Sequence, residues 1–152
     1  MQVDPRLAEI VDCLYRLAVR ALIFHEGKVL LVHEKVADRW SFPGGGIDYG
    51  EDISQALPRE LAEELGVSAT ELKADCQIAY IITGAAVDGI LRANLFYRVE
   101  IPMECIRASN DISGFDWFTP AEITPKTVSL YVDASTNDAI NFAKVIETQA
   151  AR

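Results

Sequence analysis

Apolar and polar positions alternate along this chain in two periods. Leu7, Ile10, Val11 and Leu14 follow Asp4-Pro5 at helical spacing, which predicts an N-terminal helix within residues 1–14. From Tyr15 to Phe24 the residues turn apolar and β-rich, with Arg16 and Arg20 interspersed. His25-Glu26-Gly27-Lys28 reads as a tight turn and Val29 to Val32 as the returning strand, a hairpin. Trp40 to Gly46 reads as a glycine loop, and Ile47 to Tyr49 as a short strand. Asp52 to Leu65 is helical in period, and Gly66 stands where a C-cap glycine stands. Cys76–Thr83 and Ile90–Ile101 are strands around a turn at Val87-Asp88-Gly89, and Gly114–Phe118 is another. Thr119-Pro120-Ala121-Glu122 is a helix start, and residues 137–150 form a terminal helix. Strands with helices set between them argue for one α+β or α/β domain over residues 1–152.

Pro58 interrupts the 52–65 pattern. It removes the amide that would bond the Ser54 carbonyl, and an interior proline costs about 3 kcal/mol. The expectation is a continuous helix kinked near Pro58. The competing reading begins a shorter helix at Pro58 itself, where a first-turn proline is harmless.

Composition narrows the function. Fourteen basic residues against twenty-three acidic ones give a formal charge of −9. A chain so acidic is a poor binder of nucleic acid backbones or anionic lipid. An anionic substrate would need a cation between itself and the protein. The uncharged run from Cys76 to Val87 is too short for a membrane span, and Met1 to Pro5 does not open a secretory signal. Cys13, Cys76 and Cys105 form no CxxC pair, so thiols in a reducing cytoplasm are expected.

The chemistry concentrates between Gly45 and Val67. On a helix, Glu60, Glu63 and Glu64 fall within about 100° of one another, beside a stripe of Leu57, Leu61 and Leu65. Three carboxylates at the edge of a packed face repel one another. Arg59 can pair with Glu63, but one arginine does not balance three acids. Oxygen ligands without His or Cys favour a hard cation, Mg²⁺ or Mn²⁺, and the Gly45 carbonyl could join them. A solvated acidic face is the competing reading of that helix taken alone.

The wider spacing decides between the two. Gly45, Glu51, Arg59-Glu60-Leu61, Glu63-Glu64 and Gly66-Val67 stand at every position of the signature of the Nudix hydrolases, which this segment resembles. At about 7% usage for each strict residue type, a chance match is on the order of one in ten million. Phe42-Pro43-Gly44-Gly45 resembles the family's lead-in, and Phe115 to Pro120 a segment near its C-terminal end. The resemblance implies an α/β/α sandwich with a mixed sheet and cleavage of a diphosphate linked to another group. It implies metal held by Glu60, Glu63, Glu64 and the Gly45 carbonyl, with Mg²⁺ as cofactor and Mn²⁺ as substitute. Glu51 and Arg59 become a support pair that fixes the loop against the helix. The resemblance also implies a water that the metal would activate, with Glu60 or Glu64 as the candidate to take its proton, ahead of Glu104, Asp111 and Asp116.

The resemblance implies a small nucleoside diphosphate derivative as substrate, a nucleoside triphosphate or a nucleotide sugar before others. Markers of the members that cleave coenzyme A, NADH or ADP-ribose are absent. Arg20 is a candidate phosphate contact, Arg39 and Trp40 flank the glycine loop as candidate contacts to a base or a phosphate, and Tyr80, Arg92 and Tyr97 lie on strands that are candidates to line the nucleoside side. Nucleic acid and membrane partners are not expected, and a homodimer is plausible from the apolar fraction of 50%. The rival reading is a non-catalytic module that senses a nucleotide or binds a protein. Such a module would be expected to lose carboxylates that this chain keeps.

Overall fold

The computed structural model describes residues 15–85, 91–124, 128 and 136–152. The expected N-terminal helix and the Val87-Asp88-Gly89 turn lie outside them. Six strands form one mixed sheet: β1 (Arg16–His25), β2 (Lys28–Glu34), β3 (Arg39–Ser41), β4 (Lys73–Ala85), β5 (Leu91–Glu100) and β6 (Ile112–Phe118). Their order is β3-β2-β1-β5-β4, with β6 on the other side of β2. β1 and β5 run parallel; the other pairs are antiparallel.

Helix α1 (Ile53–Leu65) covers one face and α2 (Thr136–Ala150) the other. Strand parity sorts the two cores. Val19, Ala21 and Ile23 of β1 join Leu57, Leu61 and Leu65 of α1, whereas Leu22 joins Phe142 and Ile146 of α2. Sheets buried on both faces read as near-continuous apolar runs, as β1 and β2 do here.

The β1–β2 hairpin turns through Glu26 and Gly27, both at positive φ, the geometry of a two-residue turn matched to strand twist. It pairs at Phe24–Val29 and His25–Lys28 and then opens. β2 continues against β3, and the glycine loop takes the place beside β1. Val19 N donates to the Gly45 carbonyl at 2.9 Å, Ala21 N to the Pro43 carbonyl at 2.8 Å, and Ile47 N to the Leu17 carbonyl at 3.1 Å. This arrangement corrects two expectations. Ile47–Tyr49 is not a strand: the chain makes one bond to β1 and turns, Glu51 N closing on the Asp48 carbonyl. Trp40 and Ser41, read as the start of the loop, belong with Arg39 to strand β3 against Val32–Glu34.

α1 runs continuously through Pro58, so the helix does not begin there. Asp52 caps it, accepting from Ser54 N at 2.9 Å, while the Gln55 side chain accepts from Asp52 N. Gly66, at φ 64°, closes its C-terminus. The last carbonyls are also satisfied: Ser109 N reaches Glu64 O and Arg107 N reaches Leu65 O. Ala56, Leu57, Leu61 and Leu65 are buried, and each large side chain among them contributes about 2 kcal/mol of burial. The acids on the adjoining edge therefore ride on a fixed helix.

Candidate active site

Arg59 organises the acidic edge of α1. A guanidinium has five N–H donors in a planar fork, and all five have acceptors here. Nε and Nη2 grip both oxygens of Glu51, at 2.7 and 2.9 Å. Nη2 also reaches the Gly46 carbonyl at 3.0 Å. Nη1 donates to Glu60 at 2.8 Å and to Glu63 at 3.2 Å. One side chain thus ties the loop (Gly46, Glu51) to the helix (Glu60, Glu63). Glu51 accepts also from Asp48 N. The Arg59 bonds, with that amide, hold its carboxyl down at about 2. Arg59 keeps its proton more tightly than an ordinary arginine, mainly through Glu51.

Glu60 and Glu64 are in the opposite condition. Burial raises both carboxyls, against the pull of Arg59 on Glu60 and of the Gly44 amide on Glu64. Glu64 is pushed up to about 7, although it accepts from Gly44 N at 2.8 Å. Glu63 is half exposed.

The glycine loop fits against this edge closely. Gly44 is at φ 124°, and a Cβ there would strike the Val19 carbonyl. A Cβ on Gly45 would meet the Glu60 carboxylate at 2.5–2.6 Å. Arg20, from the middle of β1, donates to the carbonyls of Phe42 (3.0 Å) and Gly44, and its Nε lies 3.4 Å from Asn94 Oδ1. Burial lowers the Arg20 pKa, opposed by Glu64, Glu34 and Glu60. Arg20 is thus a clamp on the loop and a positive charge facing the acids.

A hard divalent cation suits this donor set. Two enclosed carboxylates that cannot hold their charge comfortably stand with a third on one helix edge, against a loop that leaves room for no side chain at Gly45. The carboxylates are not gathered around a common point: among the described residues no three acidic, His or Cys side chains stand together as ligands. Arg59 holds Glu60 and Glu63, and Gly44 holds Glu64, so binding a metal requires these side chains to turn.

A cavity of about 260 Å³ opens beside the loop, lined by Arg16, Ala18, Arg20, Glu34, Gly44–Gly46, Arg92 and Asn94. Of the substrate candidates named from the sequence, Arg20 and Arg92 line it. Arg39 binds Glu34 at 3.2 Å behind the wall. Trp40 packs edge-on against Phe118 and His33, and Tyr80 against Phe142, in the α2 core. Tyr97 is buried on the α1 side. Glu104, Asp111 and Asp116 are exposed and do not line the cavity. Arg16 and Asn94 were not singled out from sequence. The i, i+2, i+4 spacing of Arg16, Ala18 and Arg20 on one strand was the available signal.

The sequence pattern of the NUDIX domain matches residues 14–134. A nucleoside triphosphatase NudI of Salmonella paratyphi B is 30% identical over 131 residues, covering 76% of this chain and 86% of that protein. An RNA pyrophosphohydrolase of Bartonella henselae is 44% identical over 68 residues, but the match spans only 38% of this chain and 39% of that protein. The fold matches the crystal structure of the MutT protein from Methanosarcina mazei Go1, with TM-score 0.68 and 19% identity over 91% of this chain and 95% of that one. With the family pattern matched over most of its length, the chain belongs to the Nudix hydrolases, enzymes that act on pyrophosphate bonds.

Proposed function

We propose that the protein hydrolyses the diphosphate linkage of a small nucleoside diphosphate derivative, a nucleoside triphosphate or a nucleotide sugar, with Mg²⁺. Nudix hydrolases generally use divalent metal ions. The observation that carries the reading is the split on α1. Arg59 spends its five donors on Glu51, Glu60, Glu63 and the loop, and the burial of Glu60 and Glu64 calls for further positive charge. Glu60, Glu63, Glu64 and the Gly45 carbonyl would hold Mg²⁺, which Mn²⁺ can replace. When bound, the metal neutralises the diphosphate and lowers the pKa of water.

The chain's own residues do the rest. Arg59 and Glu51 keep loop and helix in one pose. Arg20 holds the Phe42 and Gly44 carbonyls, so the Gly44 amide faces Glu64. Glu60 or Glu64 accepts the proton of the attacking water. The substrate is read as a small molecule of the cytoplasm, in keeping with the charge of −9. A homodimer belongs to the same reading; β4, at the end of the strand order, exposes Ile78 and Ile81.

The test is phosphate release from nucleoside triphosphates, nucleotide sugars, dinucleotides, ADP-ribose and a 5′-triphosphorylated RNA, with and without Mg²⁺. The Glu60→Gln protein is run in parallel. Metal-dependent turnover of a small nucleotide, lost in the variant, is the expected result. Turnover of the RNA alone would replace the substrate assignment. Turnover that persists in the variant or without metal would sink the mechanism. Sedimentation of the same sample reads the dimer.

A further inference from the structure

The floor of the cavity beside the glycine loop is set by the β1–β5 register. The two strands are parallel, with Arg16 opposite Arg92, Ala18 opposite Asn94, and Arg20 opposite Phe96. Val19 and Ala21 face α1, so residues 16, 18 and 20 face the other way, together with 92, 94 and 96. Arg16 and Arg92 therefore form a rung of two like charges on backbones about 4.8 Å apart. Like charges directly opposite in a sheet destabilise it. Ala18, the small residue of the next rung, leaves the hollow in front of them.

The cavity around that rung is rich in guanidinium groups. The protein as a whole carries −9, yet among the described residues this cavity is lined by Arg16, Arg20 and Arg92 and by one acid, Glu34, itself bound by Arg39. Among the described residues no aromatic ring lines it, so a nucleobase gains no stacking there. The guanidinium of Arg16 lies against Gly46: a Cβ on that glycine would meet its Nη2 at 2.9 Å. The carboxylate of Glu60 lies against Gly45, one residue away. Arg20 stands between the rung and the acids and bonds the loop. Same-face positions on a strand are about 6.7 Å apart, so the rung lies two such steps along the strands from Arg20, with the Arg16 guanidinium at Gly46 of the loop. It is placed to meet an anionic group next to, but not within, the diphosphate held at the glutamates.

We propose that the Arg16–Arg92 rung selects substrates with a third phosphoryl group, nucleoside triphosphates, over nucleotide sugars, whose corresponding part is uncharged. This rests on the reading of the glutamate edge as a diphosphate site. Charged groups explain the choice better than shape, because the floor offers guanidinium forks suited to phosphate oxygens and little else.

Calorimetric binding of two uncleavable analogues in Mg²⁺ tests it: methylenediphosphonate, with two phosphorus centres, and its three-phosphorus homologue. The wild type should bind the longer analogue at least about tenfold tighter, as expected for one charge-assisted contact. Arg16→Gln and Arg92→Gln should each lower that affinity by about tenfold and change the shorter analogue's by less than about twofold. Arg16→Lys, which keeps the charge, should recover part of the loss. In turnover, the Gln variants should raise KM for nucleoside triphosphates with kcat held. Equal affinity of the wild type for both analogues would overturn the proposal. So would Gln variants, with unchanged melting temperature, that keep the preference or weaken both analogues alike. If the wild type binds neither, the diphosphate-site reading fails first, a result distinct from a lost preference.

Discussion

Glu51 and Glu64 are the same residue type and belong to the same motif, yet their charges are in opposite states. Glu51 is chelated by Arg59 and held at about 2. Glu64 accepts from one amide and faces Arg20, yet burial pushes it up to about 7. The difference separates an acid that holds loop to helix from one that, in the proposed function, would take a cation. A carboxylate that is fully paired is structural, whatever its place in a motif. One that is enclosed and under-paired is raised by burial and favours added positive charge.

The comparison breaks most violently at Arg59. Arg59→Ala removes five hydrogen bonds and leaves Glu51 and Glu60 enclosed without their cation. Breaking a buried pair by deleting one partner costs about 3–5 kcal/mol, and this one is partly exposed, so a loss of about 3 kcal/mol is expected in urea unfolding. Activity should vanish. Arg59→Lys should rescue little, because an ammonium cannot chelate Glu51 while reaching Gly46. A Lys variant of near wild-type stability would show that the fork geometry is unnecessary.

The sharper test is one of sign. In metal-free buffer near pH 8, Glu51→Gln should destabilise the protein and Glu64→Gln should stabilise it by about 1–3 kcal/mol, because glutamine keeps the volume and drops the unmet charge. Saturating Mg²⁺ should erase or reverse the gain of Glu64→Gln and leave the loss of Glu51→Gln in place. Both variants should lose turnover, for different reasons. Equal signs for the two in metal-free melts would refute the distinction.

Their pH dependences follow from the same shifts. The Glu51 carboxyl is depressed from 4.5 to about 2, so its contribution is present above 4.5 and lost as pH falls toward 2. The Glu64 carboxyl is raised from 4.5 to about 7, so its cost is absent below 4.5 and complete above 7. The gain from Glu64→Gln should therefore grow between pH 4.5 and 7, while the loss from Glu51→Gln should shrink only below 4.5. Melting curves of both variants across this range, without metal, read the two windows separately.

What the sequence could and could not convey follows the range of the interactions. α1 was legible from Asp52 to Gly66 because its caps are local: an Asx side chain at one end, a left-handed glycine at the other. The Glu51–Arg59 pair was legible from the motif the chain shares with its family. β3 was not, since three residues carry little period, and Ile47–Tyr49 read as strand because nothing local says that β1 and β2 part after two pairs. The Arg16–Arg92 rung depends on residues 76 positions apart meeting in parallel register, which no local pattern encodes. Arg20 looked like a phosphate contact from its type and place; its hydrogen bonds go to the loop carbonyls, a role visible only once the loop lies along β1.

The smallest expected effect sits at the residue before Arg59. Pro58 lies inside α1 and lacks the amide that would bond the Ser54 carbonyl. Pro58→Ala restores that donor, against a loss of about 0.4–1 kcal/mol from the greater freedom of the unfolded chain. An interior proline costs about 3 kcal/mol in an otherwise regular helix, but this helix is built around it, so a net gain of about 1 kcal/mol is expected. Turnover should stay within about twofold, because Arg59 is held from the loop side by Glu51 and Gly46 and does not depend on Pro58 for its pose. Melting temperature and kcat measured on one preparation decide the matter. A protein that gains stability and loses activity together would mean that the proline sets the turn presenting Arg59 and Glu60, and that the paired and unpaired acids of α1 are poised by the backbone as well as by the guanidinium between them.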